Sequence, residues 1–241
     1  MNYFGNNKEQ GNVLFLILIA VVLFAALSYA VTTSTRSGGG SDQDERNELN
    51  ASQIVQTVSQ LKQALLRLRV LSGCDDTQIS FAYDTSGDNS LSAADDYYNG
   101  SATDLDCHLF QPEGGNMSFP SVPSGVNQGE DWLITNNRIY DYYGDKGFVQ
   151  SSADIMIILP NISLDLCRRL NRGLDTDATF QSTPPIDDGT INTDKFDGSY
   201  TFEAIDNTPE FVGGAFKDGI CFQPDGSSEY WFMYVLWERQ P

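Results

Sequence analysis

Histidine, paired cysteine motifs and positive charge are scarce in this sequence. It has one histidine, and four cysteines without a C-x-x-C pair, which disfavours a zinc site. It has 14 Lys and Arg against 33 Asp and Glu, and the resulting formal charge of -19 argues against a nucleic-acid partner, because such a surface repels phosphate. It also lacks a Gly-x-Ser-x-Gly, P-loop, dinucleotide or His-Glu-x-x-His motif. We therefore expect no enzyme activity and no catalytic residues.

The longest uncharged run lies near the beginning of the sequence. Its apolar part extends from Val13 to Val31, and a helix of that length nearly spans a hydrocarbon core of about 30 Å. Three outcomes of processing are open. The run is a permanent anchor, or it is a signal peptide cut after Ser28-Tyr29-Ala30 that releases a soluble domain. The third outcome depends on the residues before the run.

A short polar leader, MNYFGNNKEQG, ends at Gly11, and the apolar segment starts directly at Asn12. This arrangement resembles the precursor of a type IV pilin or pseudopilin. The resemblance implies that a prepilin peptidase cuts after Gly11, that Asn12 becomes the first mature residue, and that the apolar helix packs against other pilin-like subunits. Members of that family usually carry Glu at the fifth mature position, where this chain has Leu16. The difference argues against an abundant shaft subunit and leaves a minor or tip subunit, or a pilin-like protein outside any filament.

The next part of the chain predicts a second helix with one buried face. A Gly-rich break at residues 37–41 separates the apolar helix, 12–36, from an amphipathic helix over 42–73 that ends at Gly73. Its apolar positions recur at steps of four and three, at Ile54, Val58, Leu61, Leu65 and Leu68.

Residues 74–241 predict one acidic, β-rich domain, which makes the chain α+β: a long N-terminal helix packed on a mainly antiparallel sheet, with one further short helix at Ser163–Gly173. A hairpin is predicted around Asn136-Asn137 and another at Pro224–Ser228. The last strand is apolar on both faces, so we expect it to lie centrally in the sheet. The predicted strands are Gln78–Tyr83, Asp131–Thr135, Arg138–Tyr143, Asp154–Leu159, Tyr200–Ile205, Gly219–Gln223 and Glu229–Glu238.

The four cysteines are even in number and follow an export-type segment, which favours two disulfides formed in an oxidising compartment. Three pairings are possible. We favour Cys74 with Cys107 and Cys167 with Cys221, because each closes a loop of moderate length.

One acidic loop, Asp84 to Asp95, resembles the twelve-residue calcium loop of EF-hand and dockerin modules. The resemblance implies Ca²⁺ ligands at Asp84, Ser86, Asp88, the Ser90 carbonyl, Ser92 and Asp95. The other interpretation is a plain Asp/Ser/Gly surface loop.

These features together predict a minor pilin-like or pseudopilin-like structural subunit. It would pass once through a bacterial inner membrane, with its N-terminus in the cytoplasm and its domain in the periplasm or at the cell surface. Its partners would be the membrane, the prepilin peptidase and other such subunits. The alternative is a membrane-tethered or secreted acidic binding module that belongs to no filament.

Overall fold

The structure, a computed structural model, describes residues 10–36, 41–85, 90–139, 153–176, 178–187, 189–200, 204–205 and 218–239. It divides the chain into two compact units, Met1–Arg46 and Asn47–Pro241. The first unit contains an apolar helix, and the second is α+β, as the sequence predicts.

Two long helices begin the described chain, α1 at Gln10–Arg36 and α2 at Ser41–Arg67. Asp42 and Asp44 lie in the first turn of α2, where carboxylates interact favourably with the positive end of the helix dipole. The helix continues as one π turn, Leu68–Ser72. Gly73 ends it with a φ of 70°, a conformation that glycine adopts without steric cost.

The predicted apolar stripe of α2 is buried in the second unit. Ile54, Val58, Leu61 and Leu65 have no exposed surface and share one core with residues of the sheet. Burying an aliphatic side chain contributes roughly 1.5–3 kcal/mol, so this face fastens α2 to the domain.

The sheet is mixed and mostly antiparallel. In chain order its strands are β1 at Leu133–Ile139, β2 at Asp154–Ile162, β3 at Ile186–Asp187, β4 at Ala204–Ile205, β5 at Gly219–Pro224 and β6 at Tyr230–Trp237. Their spatial order is β3-β5-β6-β2-β1-β4, in which the inner four strands pair antiparallel and the two short edge strands pair parallel. The predicted central position of the last strand is confirmed, as is the turn that joins β5 to β6.

Alternate side chains of β2 enter two apolar layers. Ile155, Ile157 and Leu159 face the layer that contains α2, whereas Met156 and Ile158 face a second cluster. A helix α3, Leu164–Gly173, packs on the first layer, and Phe180 of a helix α4, Ala178–Ser182, packs on the second. Both faces of the sheet are therefore covered.

The hairpin predicted around Asn136-Asn137 is wrong. Both asparagines lie inside the continuous strand β1 and pair with Ile155 and Asp154 of β2. Their side chains are buried and bind backbone groups near Asn192 and Ser199, so they do not form a turn.

Two further predictions need correction. The single further short helix is matched by α3, but α4 is a second one. Gln78–Tyr83 forms only one isolated bridge, between Ser80 and His108. The backbone of this segment makes its hydrogen bonds with residues of loops and turns instead of with a strand. Within the predicted strand Tyr200–Ile205, β4 is a strand at Ala204–Ile205, and residues 201–203 lie outside the described part, as do residues 140–143 of the predicted Arg138–Tyr143 strand.

Candidate functional site

The surface of α1 is the first candidate for function. Residues Val13–Thr32 have a mean hydropathy of 2.8, and this is the one helix among the described residues that is long and apolar enough to cross a membrane. A signal sequence would have the same properties. Every described side chain of this stretch is exposed, including Phe15, Leu23 and Phe24. A helix that is apolar on all sides requires a partner that is equally apolar, either lipid or other helices.

The hydroxyl of Thr32, near the end of this stretch, finds its hydrogen-bond partner within the helix. The hydroxyl of Thr32 donates a hydrogen bond of 2.7 Å to the carbonyl of Ser28, four residues earlier. This bond satisfies the hydroxyl within the helix, as membrane-spanning segments require.

The predicted processing positions lie in the same helix. Gly11 and Asn12 belong to its first turn, since α1 begins at Gln10. The other proposed cleavage site, Ser28-Tyr29-Ala30, is helical too, because α1 continues to Arg36. Cutting there would require the helix to unwind locally.

Two disulfides join the cysteines in the favoured pairing. Cys74, directly after α2, is bonded to Cys107, and Cys167 of α3 is bonded to Cys221 of β5. All four are buried, and none of the cysteines is free. Disulfides of this kind are typical of proteins that fold outside the cytoplasm.

A Cys-His pair does not supply chemistry here. Cys107 is oxidised in its disulfide and offers no thiolate. The neighbouring His108 is buried, and its Nε2 lies 3.1 Å from the carbonyl oxygen of Ala102.

The structure describes only part of the predicted calcium loop. Ser86 and Asp88 lie outside the described residues, and Asp84, Ser90 and Ser92 lie inside them. Asp95 is buried, and its two carboxylate oxygens accept hydrogen bonds from the backbone N–H groups of Thr85, at 3.0 Å, and Ser92, at 2.9 Å. Among the described residues no three His, Cys, Asp or Glu side chains are grouped to hold a metal ion. Calcium binding stays a prediction.

A cluster of ionisable groups that the sequence analysis missed fastens the end of the domain. Arg239 pairs with Asp76, its guanidinium lies 3.8 Å from the centre of the Tyr200 ring, and its backbone N–H donates to Asp154 at 2.9 Å. Burial raises the pKa of the Asp154 carboxyl to about 6. Burial also raises the pKa of the Tyr200 hydroxyl, which donates to the carbonyl of Asp76 at 2.7 Å. The partners are up to 163 residues apart in the sequence, so no local sequence motif indicates this cluster.

A concave cleft with a volume of about 460 Å³ lies between α2 and α3. Ala51 and Val55 of α2 and Leu170 of α3 give it an apolar floor, and Arg169 and Arg172 of α3 lie at its rim. The sequence analysis did not predict this cleft.

Comparison of the chain with family models, with curated proteins and with solved structures gave no match.

Proposed function

We propose that the chain is a minor pilin-like or pseudopilin-like subunit of a pilus or secretion-type filament. In this proposal α1 holds it in a bacterial inner membrane before assembly, and the disulfide-bonded domain lies in the periplasm or outside the cell.

The observation that carries the proposal is that two helices with different surfaces follow each other in the sequence. The side chains of Val13–Thr32 are apolar and exposed on every side, so α1 is suited to lipid or to sister helices. The following helix α2 buries its stripe in the domain core and therefore cannot be removed without exposing that core. Pilin-like subunits have this layout, in which an apolar helix for assembly is followed by an amphipathic helix that packs on the domain.

The charge and redox chemistry of the domain supports an exported location. The two disulfides fit an oxidising compartment, and the charge of -19 keeps the domain away from anionic lipid headgroups. Leu16, in place of the family's usual glutamate, supports a minor or tip position. No charged partner for a neighbour's amino terminus is present at that position.

Processing tests the proposal directly. The full chain is produced in bacteria with and without a prepilin peptidase, and the first residue of the membrane-bound product is identified by mass spectrometry. We expect Asn12 as the first residue only when the peptidase is present, and we expect Gly11→Val to abolish that cut. Gly5→Val, which alters a different leader glycine, is the matched control and should be cut normally.

The same measurement distinguishes the second candidate, a membrane-tethered or secreted binding module. The cleft between α2 and α3, with its apolar floor and arginine rim, favours a ligand-binding role. An intact Met1 under both conditions supports a plain anchor, and a product that begins at Val31 supports a soluble secreted domain. Either result contradicts the filament proposal.

A further inference from the structure

The cleft between α2 and α3, here called the arginine cleft, carries positive charge that the described structure does not neutralise. Arg169 is paired with Glu48 at 2.8 Å. Arg172 is exposed, and its guanidinium makes no hydrogen bond or ion pair with the described residues. In a chain with a formal charge of -19, an unpaired guanidinium beside an apolar floor is a site suited to a carboxylate next to an aliphatic side chain.

A turn elsewhere in the same unit has this chemistry. Asp104, Leu105 and Asp106 form what we call the acidic knob, at the start of the short 3₁₀ turn Leu105–Cys107. Leu105 is 46% exposed, and both carboxylates are exposed and make no hydrogen bond or ion pair with the described residues. An aliphatic side chain between two exposed carboxylates complements a floor of aliphatic carbon with Arg172 at its rim.

The knob is held rigidly, which reduces the entropy lost on binding. Cys107, at the end of the turn, is bonded to Cys74. The backbone N–H groups of Cys107 and His108 donate to the carbonyls of Asp104 and Leu105, each at 3.0 Å.

The knob and the cleft lie near opposite ends of the packed part of α2. The cleft uses residues 48–55, whereas the knob turn contacts the π turn at Leu68–Ser72. The thirteen helical steps from Val55 to Leu68 correspond to roughly 20 Å at a rise of about 1.5 Å per residue. One copy therefore cannot fill its own cleft with its own knob.

Additional apolar surface is exposed beside both features. Val70 and Leu71, in the π turn next to the knob, are 76% and 79% exposed, and Leu49, one turn from the cleft, is 58% exposed. Exposed aliphatic side chains around a charged centre are typical of surfaces that associate.

We propose that the acidic knob of one copy of this chain enters the arginine cleft of a second copy, so that the domains associate head to tail. Leu105 contacts the apolar floor, and the carboxylate of Asp104 or Asp106 pairs with Arg172. Because the two surfaces differ and lie apart, the contact is heterologous, and a pair of copies leaves one knob and one cleft unoccupied. The contact does not depend on cleavage after Gly11, so it is tested separately from the proposed function.

Site-directed crosslinking of the full chain in detergent tests the contact. One sample carries Thr103→Cys, beside the knob, a second carries Ser52→Cys, at a residue that lines the cleft, and both positions are exposed. A short bismaleimide is added to each sample alone and to their mixture. We expect dimers from the mixture at least about fivefold above a mixture of Thr103→Cys with Ser228→Cys, an exposed control on the β5–β6 turn, since a specific charged contact raises local encounter.

Charge reversal tests the chemistry of the contact. Arg172→Glu in the Ser52→Cys chain should lower the dimer yield about fivefold, and Asp104→Lys with Asp106→Lys in the other chain should restore it. These side chains are exposed, and equal melting temperatures of the variants will show that folding is unchanged. Equal yields from Thr103→Cys alone and from the mixture, or a yield that Arg172→Glu does not change, would overturn the proposal. Such a result with an Asn12 amino terminus would reject this contact and leave the processing intact.

Discussion

Asn171 acts at the edge of strand β5 as a neighbouring strand would. Its side chain has no exposed surface and makes three hydrogen bonds: Oδ1 accepts from the N–H of Cys221 at 2.8 Å, and Nδ2 donates to the carbonyls of Cys221, at 2.9 Å, and Phe180, at 3.0 Å. One side chain thus satisfies both backbone groups of the disulfide-bonded residue Cys221. It also connects α3, α4 and β5 at one point.

Asn171→Ala should therefore destabilise the domain by about 2–4 kcal/mol, because it removes three buried hydrogen bonds, two of them with the backbone of Cys221. Chemical denaturation monitored by tryptophan fluorescence measures the change. Gln60→Ala, on the exposed side of α2, is the control and should change the free energy of unfolding by less than about 0.5 kcal/mol. Similar stabilities of the two variants would show that Asn171 is not a structural connection.

Asp154 is a buried carboxyl whose ionisation opposes folding. Its pKa is about 6, raised by burial from a reference of 3.8, while the N–H of Arg239 partly stabilises the charged form. The folded state therefore binds the proton more tightly than the unfolded chain does. The stability contributed by this group is fully present below pH 3.8 and falls as the pH rises through about 6.

Asp154→Asn should remove this dependence. We expect the variant to be more stable than the parent, by a margin that is about 1 kcal/mol larger at pH 8 than at pH 5, since the parent loses stability over that range. Denaturant unfolding at the two pH values measures the difference, and Asp225→Asn on the exposed β5–β6 turn is the control. A constant margin would mean that Asp154 does not titrate in this interval.

Among the helices, strands and turns, the sequence correctly predicted those features that depend on residues close together along the chain. The stripe of α2, the short helix α3 and the turn between β5 and β6 are confirmed, because each is set by residues a few positions apart. Ser163 accepts a hydrogen bond from the N–H of Leu166 at 3.3 Å, as a cap residue should.

The errors arose where distant residues override local preference. Asn136 and Asn137 favour a turn in isolation, but the side chain of Asn137 exchanges hydrogen bonds with the backbone of Asn192, 55 residues away, and this holds β1 extended. The Asn136 side chain binds the carbonyl of Ser199 in the same way. The arginine cleft and the Arg239 cluster were missed for the same reason, since tertiary packing brings their residues together.

The acidic loop from Asp84 to Asp95 makes a separate prediction at this scale. If it binds Ca²⁺ as its sequence pattern indicates, millimolar calcium should raise the melting temperature, because an ion that binds only the folded state at about 100 times its Kd contributes about 2.7 kcal/mol. Asp88→Asn should reduce this shift. Identical melting curves in calcium and in a chelator would reject calcium binding.

In the whole molecule, the apolar surfaces of the two units are covered in different ways. The domain from Asn47 onward buries its apolar residues in two layers around the sheet and is fastened by two disulfides. The described side chains of α1 bury nothing in this structure, so their apolar surface must be covered by lipid or by other helices. The proposal of a pilin-like subunit therefore requires that α1 stays joined to the domain after export.

Mass spectrometry of the protein purified from its native host tests this requirement most directly. The proposal of a pilin-like subunit predicts a membrane-associated or filament-associated chain that begins at Asn12 and retains all of Val13–Thr32. A water-soluble chain that begins at Val31, without the apolar helix, would contradict it.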